Sequence, residues 1–426
     1  MPLIIRDGTD LIGIQRPHEI KYIKHLRMFM LFMGGWPGKL FGEPERFRIF
    51  YRCYNIVMST SLFIAGCLYV RNNMGVLSFV KIGQTCITTL MNIICMARFA
   101  SVFSKRFDQI IVDFLTEIHL FNHRHKSEYS GKMNLYVHNL SKSFTIYSVA
   151  MTLTTASIFN ISPFITNLSN GGFGRDVPAN ITYEHSINYV LPFDHEHNFK
   201  GFIIVFFWNL YITFASAEMF VFYDLLIALL VFHLWGHLKI LTYNLENFPK
   251  PGFKGQSSSC TPLRYSDEES LEVAEMLKGI IDHHNFILKH SRNISEVFGL
   301  NIAVYYTFFQ VSGCLFLLEC STMDPKAVIH FGPLTIGLIA LLVQMSMIFE
   351  LLSAMTDHVI RGAYNVPWEC MDVKDRKMVL MLLRQAQIPL GLKALGVVEV
   401  GVRTMAAIMK TSLSYFMMLR TFASNE

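Results

Sequence analysis

The chain has 426 residues, of which 52% are hydrophobic and only 16% charged, with a formal net charge of +5. Soluble domains carry nearer a quarter charged residues, so this composition points to lipid. It excludes a nucleic-acid-binding reading, because basic residues never interleave with aromatics in the required pattern, and no Gly-rich phosphate loop is present. The eight Cys form no CxxC pair and no zinc spacing, and Cys53, Cys67, Cys86 and Cys95 fall in apolar runs where Cys is a small hydrophobe.

In chain order, residues 1–47 form a basic amino-terminal segment. The run Met28–Met33 is too short to span and reads as an interfacial or packed helix. Seven segments reach the roughly 20 apolar residues that a spanning helix needs: Ile49–Val70, Met74–Met96, Phe144–Ile165, Gly201–His233, Val297–Cys320, Val328–Thr356 and Gly396–Arg420. The fourth is long enough to project beyond the bilayer. The chain divides into 1–47, spans one to four within 48–233, a linker and helix over 234–296, spans five and six within 297–356, a helical anchor over 357–395, and the seventh span with a short tail over 396–426.

Loop charges set the expected direction. The segments 1–47, 97–143, 234–296 and 357–395 together hold 27 Lys and Arg, against 4 in the alternate loops. Basic loops stay cytoplasmic, so the amino terminus is expected inside and the carboxyl terminus outside. The acceptor tripeptides at Asn167 and Asn180 fall in the loop this rule places outside, and are expected to be glycosylation sites. Asn139 and Asn293 also match but lie in expected internal loops. No cleavable signal peptide is expected, since the first 47 residues are basic and broken by Pro17 and Pro37.

Seven spans with this direction do not suit a G-protein-coupled receptor, whose amino terminus lies outside. Asp-Arg-Tyr after span three and Asn-Pro-x-x-Tyr in span seven are also missing. A secondary transporter is the fairer rival, although the halves show no repeat. Among the charges inside spans (Lys81, Glu218, Asp224, Glu350, Arg403 and Lys410), Lys410 is the best candidate for lining a wet cavity. Its structural alternative is an ion pair with Asp224 or Glu350. No acid, base and nucleophile set is recognisable, so no enzyme, cofactor or metal site is expected. His119 with His123, and the run Asp194–His197, are the histidine groupings that tempt a metal reading; the adjacent His283 and His284 point apart on a helix and count for less.

The inner loops read as helical. Ser266 and Glu269 form a capping box, and Leu271, Ala274, Leu277, Ile281 and Leu288 mark one helix face running into span five. Residues 105–142 and Asp372–Gln387 read likewise, giving a helical assembly beneath the membrane.

The carboxyl-terminal stretch carries the motifs PWECMDVKDRK and KTSLSYFMMLRT, and Leu26–Gly42 reads LRMFMLFMGGWPGKLFG. These resemble insect odorant receptors, with the ending most similar to the moth sex-pheromone branch. The resemblance implies an all-α polytopic fold of seven spans with inverted topology in the plasma membrane of olfactory sensory neuron dendrites. It implies a ligand-gated, non-selective cation channel subunit that partners the odorant-receptor co-receptor in a tetramer and takes a small volatile apolar ligand. The seventh helices would surround the pore, with Met418 and Phe422, one turn apart, as a hydrophobic gate. The ligand pocket would lie in the outer half of the bundle, with candidates Ser148, Thr152, Thr155 and Phe159 on span three. Further candidates are Phe206, Trp208 and Tyr211 on span four, Phe309 on span five and Phe331 on span six. A metabotropic receptor and a transporter remain the alternatives.

Overall fold

The computed structural model describes residues 9–77, 79–173, 181–252, 264–321 and 325–423. Eleven helices are described, each named here by its range. They are α1 (Lys21–Phe32), α2 (Arg48–Asn73), α3 (Phe79–Val102), α4 (Lys105–Asp113), α5 (Glu128–Ser169), α6 (Phe199–Glu246), α7 (Asp267–Ser321), α8 (Pro325–Ser353), α9 (Thr356–Tyr364), α10 (Val373–Ala386) and α11 (Val402–Ala423). Six of them, α2, α3, α5, α6, α7 and α8, are long and apolar enough to cross a membrane. The seventh, α11, is 22 residues long and carries Arg403 and Lys410.

Length explains the architecture. At 48 residues α6 is about 72 Å long, and at 55 residues α7 is about 82 Å long. A hydrocarbon core is only about 30 Å thick, so more than half of each helix needs protein around it. For α6 that protein is chiefly α5, α7 and α8, joined by α1, α9 and the turns between α4 and α5, and the stretch from Met219 to Leu234 is buried throughout. A helix apolar on all faces requires such a jacket.

The amino-terminal run packs as α1, burying Tyr22, Ile23, Leu26 and Met30 while Met28, Leu31 and Phe32 stay exposed. Gly34 then turns with φ +65°, which favours glycine. Its carbonyl accepts from Arg48 Nε at 3.2 Å and Arg52 Nε at 2.7 Å, and both arginines pair with Asp108. Residues 105–142 do not form one helix. A π turn over Phe114–Ile118 and a 3-10 turn over Leu120–His123 interrupt it. His119 and His123 therefore do not share an α-helical face. Tyr22 reaches His119 Nε2 at 2.9 Å instead, and His123 Nε2 donates to the Glu117 carbonyl at 2.7 Å.

The capping box forms as read: Ser266 N–H donates to Glu269 Oε2 at 3.0 Å and Glu269 N–H to Ser266 Oγ at 3.3 Å. The seventh span begins later than Gly396. Lys393–Ala394 (β1) and Val398–Glu399 (β2) pair as a hairpin, with Leu395 and Gly396 at φ +51° and +72°. Residues 395–397 connect the strands, and Val397 N–H donates to the Ala394 carbonyl at 3.1 Å to close the turn. The hairpin lies on α7, where Leu395 N–H donates to the Gly299 carbonyl at 3.3 Å. α11 starts only at Val402, whose N–H donates to Glu350 Oε2 at 3.1 Å.

Candidate functional site

Five of the long helices, α2, α3, α5, α6 and α7, converge with α8 around an elongated cavity of about 1230 Å³ of atom-free space, part of it open to the outside. Its walls are apolar: Leu62, Ile87, Met91, Phe159, Ile212, Phe220, Phe308, Phe309 and Leu341. Positions Ile212 and Asp224 both line it, so it extends about 18 Å along α6.

One end is closed by residues 184–190 of the α5–α6 loop, which form a lid. Sequence chemistry explains why this loop is held down, because amides from three helices bind its backbone. Gln84 Nε2 donates to the Ser186 carbonyl and Asn209 Nδ2 to the Ile187 carbonyl, each at 3.0 Å. Asn167 Nδ2 donates to the Glu184 carbonyl and Asn167 Oδ1 accepts the Glu184 N–H, both at 2.8 Å. Ser186 Oγ donates to Asn160 Oδ1 at 3.1 Å. Ile187 and Tyr189 then point their share of apolar surface into the cavity wall.

The other end is a charge pair. Arg98 NH2 donates to Asp224 Oδ1 at 2.7 Å with both side chains almost fully buried, and the guanidinium lies over Phe220, Tyr223 and Tyr305. Only Asp224 of the two reaches the main cavity.

Polar groups in the walls are mostly satisfied by their own helices. Thr155 Oγ1 donates to the Met151 carbonyl at 3.0 Å, Thr88 Oγ1 to the Thr85 carbonyl at 3.0 Å, and Asn92 Nδ2 to the Thr88 carbonyl at 3.1 Å. Tyr189 differs. Its side chain is 4% exposed, and its hydroxyl makes no hydrogen bond. Burial pushes the phenol up from its ordinary value, so it remains a neutral O–H. Leaving such a group unpaired costs about 1–3 kcal/mol.

Of the residues expected at the ligand pocket, Thr152, Thr155, Phe159 and Phe309 come together in this cavity. The others do not. Ser148 is buried elsewhere on α5, its hydroxyl without a partner. Phe206 belongs to an aromatic cluster with Phe164, Phe202 and Phe207. Trp208 and Tyr211 are 43% and 47% exposed on the outside of α6, and Tyr211 shares a hydroxyl contact of 2.5 Å with Tyr54. Both lie off the cavity face of α6, which turns Ile212, Ser216 and Phe220 inward. The side chain of Phe331 lies outside the described residues.

Asn167 is fully buried with both amide atoms engaged, which corrects its reading as an accessible glycosylation acceptor. Asn180 lies outside the described residues. Lys410 does not pair with the carboxylates offered to it, since Asp224 takes Arg98 and Glu350 takes the Val402 N–H. It is exposed on α11, as is Met418, while the Phe422 side chain lies outside the described residues. On the opposite face of α11, Ser412 is buried and its Oγ donates to the Gln310 carbonyl of α7 at 3.1 Å. In the Asp194–His197 run, Asp194 Oδ1 accepts the N–H groups of Glu196 and His197 at 3.1 and 3.0 Å. Among the described residues no cluster suited to a metal ion is found.

Sequence reasoning missed Arg98 and Tyr189. Arg98 was counted as a loop charge, although Phe99 and Val102 continue the apolar pattern beyond it. Tyr189 sits in the loop between spans three and four, where the alternation of Ile187 and Tyr189 is the available signal.

A family model described as 7tm Odorant receptor matches residues 78–413. Putative odorant receptor 85d of Drosophila melanogaster is 24% identical over 154 residues, 35% of this chain and 37% of that protein. Odorant receptor 49a of the same species is 24% identical over 165 residues, 37% of this chain and 40% of that protein. The chain thus aligns with well under half the length of these relatives. The insect olfactory receptor OR5 from Machilis hrabei superimposes with a TM-score of 0.73 at 15% identity, covering 94% of this chain and 98% of that one. The same receptor in complex with eugenol gives 0.73 at 14% identity, with the same coverage. At that identity the likeness is one of fold.

Proposed function

The chain belongs to the 7tm odorant receptor family, and from that premise we propose that it is the odorant-binding subunit of a ligand-gated, non-selective cation channel. It is a multi-pass membrane protein with six helices apolar and long enough to span, followed by α11. In this reading it assembles with the odorant-receptor co-receptor into a heteromeric tetramer, and its ligand is a volatile apolar molecule of the pheromone kind. The observation that carries the reading is the lidded apolar cavity between α2, α3, α5, α6, α7 and α8. Its lining suits a small apolar ligand with few polar contacts. The similar Machilis hrabei receptor was solved in complex with eugenol.

Loop charges support a cytoplasmic amino terminus and an outward lid. The uncovered face of α11, with Met409, Leu413, Met417 and Met418 exposed, supports a helix that meets other subunits around a pore. Met418 and Phe422 then form a hydrophobic constriction, which closes by dewetting without a charged gate. Lys410 faces the conduction path. A ligand that binds the open arrangement better shifts the closed–open equilibrium by that difference in affinity. The route is short, because Phe308 and Phe309 line the cavity while Gln310 of the same turn holds Ser412 of α11.

The test is whole-cell current with and without the co-receptor, under G-protein blockade, to long-chain alcohols, acetates and aldehydes. A fast cation current that needs both subunits supports the reading. Current abolished by G-protein blockade, or saturable flux without channel conductance, assigns the chain to a metabotropic receptor or a transporter.

A further inference from the structure

We propose that His119, His233, His237 and His283 form an acid-released lock, which holds α1 and the turns between α4 and α5 against α6 and α7 only while its imidazoles are neutral. By the loop charges this end of the bundle is expected to face the cytoplasm, so the signal it answers to is acid on that side of the membrane. The device is separate from the ligand cavity and does not depend on what the cavity holds.

The hydrogen bonds fix where each proton sits. His119 Nδ1 accepts the Phe121 N–H at 3.2 Å, and His233 Nδ1 accepts the Leu120 N–H at 3.1 Å. A neutral imidazole has one N–H, so both rings carry it on Nε2, facing the Tyr22 hydroxyl of α1 at 2.9 and 3.5 Å. One turn further along α6, His237 Nε2 donates to the Ile118 carbonyl at 2.9 Å. Its Nδ1 is left to accept the Nε2–H of His283 on α7 at 3.0 Å. His119, His233 and His237 are buried, and the centroids of the first two rings are 4.0 Å apart.

A second proton on His119, His233 or His237 must go to the accepting Nδ1. It sets N–H against N–H and breaks the bond to Phe121, Leu120 or His283. It also leaves a buried cation beside another imidazole, which is costly. The surrounding charges do not offset this. Asp10, the anion on the α1 side, is taken by Lys142 at 2.6 Å and by His138 of α5 at 3.2 Å, whose ring lies 5.5 Å from that of Tyr22. Glu117 faces His290 of α7 at 3.3 Å, with Asp113 also near that ring. His123 lies 4.9 Å from His237 and donates its Nε2–H to the Glu117 carbonyl. Lys126 and His123 oppose a proton on both His237 and His283, and His284 opposes one on His283.

Burial is the leading cause that pushes His119 down to about 3, His283 down to about 4 and His237 well below its ordinary value. Each imidazole that is neutral in the lock and charges on release weakens the lock about tenfold per pH unit below about 6.5. The lock is therefore complete above that value and fails as pH falls below it. Several imidazoles acting together make the failure steep.

The experiment is thermal unfolding of the full-length chain in lipid nanodiscs from pH 7.5 to 5.0, for the wild type, His119→Asn and His283→Gln. Hydrogen–deuterium exchange of residues 114–123 at pH 7.5 and 5.5, corrected for the intrinsic rate, locates the change. Asn does not titrate, and its side-chain oxygen still accepts the N–H two residues on. Gln keeps an N–H for His237. His185 of the lid is common to all three chains, so differences in slope belong to the lock. The wild type is expected to lose stability steeply below pH 6.5 and to lose protection over 114–123. Each variant is expected to start lower at pH 7.5 but to fall less steeply, by about one proton, or tenfold less change in the unfolding equilibrium per pH unit. If one variant does not fold, the other carries the comparison. Variant curves that run parallel to the wild type mean a structural role alone and overturn the proposal. Protection over 114–123 that is unchanged at pH 5.5 overturns it as well.

Discussion

Replacing Asp224 by Ala removes one partner of a charge pair whose side chains are 3% and 6% exposed and 2.7 Å apart. Arg98 cannot follow water, because its guanidinium is covered by Phe220, Tyr223 and Tyr305 at 4.6, 5.1 and 5.3 Å. The three rings soften the loss through cation–π attraction, but do not replace an anion. Breaking such a pair costs about 3–5 kcal/mol, whereas exchanging both members for well-packed apolar residues is often neutral. Asp224→Ala and Arg98→Met are each expected to lower the folded population a hundredfold or more, at about 1.4 kcal/mol per tenfold. The double substitution Arg98→Met with Asp224→Leu should recover most of it, so that its loss falls well below the sum of the two single losses. Thermal unfolding of the detergent-solubilised receptor, followed by fluorescence-detected size exclusion, reads all three. Single variants within about 1 kcal/mol of wild type, or a double variant as unstable as the two losses added, would refute the reasoning.

Other consequences follow from the same geometry. An added Cβ at Gly337 meets Thr155 at an ordinary 3.7 Å, so Gly337→Ala should assemble and respond normally, while Gly337→Phe fills the cavity and abolishes ligand-evoked current at unchanged surface expression. Gly66→Ala drives a methyl into Thr89, whose hydroxyl is bound to the Thr85 carbonyl. It should cost about 1–3 kcal/mol in the same unfolding assay and be rescued by Thr89→Ala. The lid histidine His185 is buried and neutral, its pKa lowered to about 4, chiefly by desolvation. Its contribution is complete above the ordinary value near 6.5 and is lost as pH falls toward 4. A bath at pH 5 therefore weakens the lid by about 2 kcal/mol, and His185→Gln should flatten the loss of thermal stability between pH 6.5 and 5.

Much of this fold is legible in the sequence because the bilayer imposes a simple rule of length and apolarity. Six spanning helices, the unbroken helix through Leu271 to Leu288 into α7, and the capping box at Ser266 all follow from periodicity and local chemistry. Local signals are weaker where tertiary packing decides. The π and 3-10 turns after Asp113 exist because Tyr22 and α6 pack there, and residues 105–142 carry no proline or glycine run to mark them. The hairpin at Leu395 is announced only by Gly396, inside a stretch apolar enough to extend the seventh span. At the cavity, Thr152, Thr155, Phe159 and Phe309 share faces that helical spacing can find. The rotation of α6 cannot be read that way, because it is apolar around its whole circumference, so its sequence does not tell that Trp208 and Tyr211 face away from the cavity. Tyr189 is placed by amides on three other elements, a relation no single stretch of sequence contains.

The most direct test of the account is protection of a cysteine in the cavity. Thr155→Cys, expressed with the co-receptor, would be exposed to a thiol reagent bearing an aliphatic tail while whole-cell current is recorded, with the wild-type pair as control for the native cysteines. The account predicts that current in the variant is blocked irreversibly and that saturating activating ligand slows the block severalfold. Block at the same rate with and without ligand would place the ligand elsewhere and contradict the assignment of this cavity as the site that gates the channel.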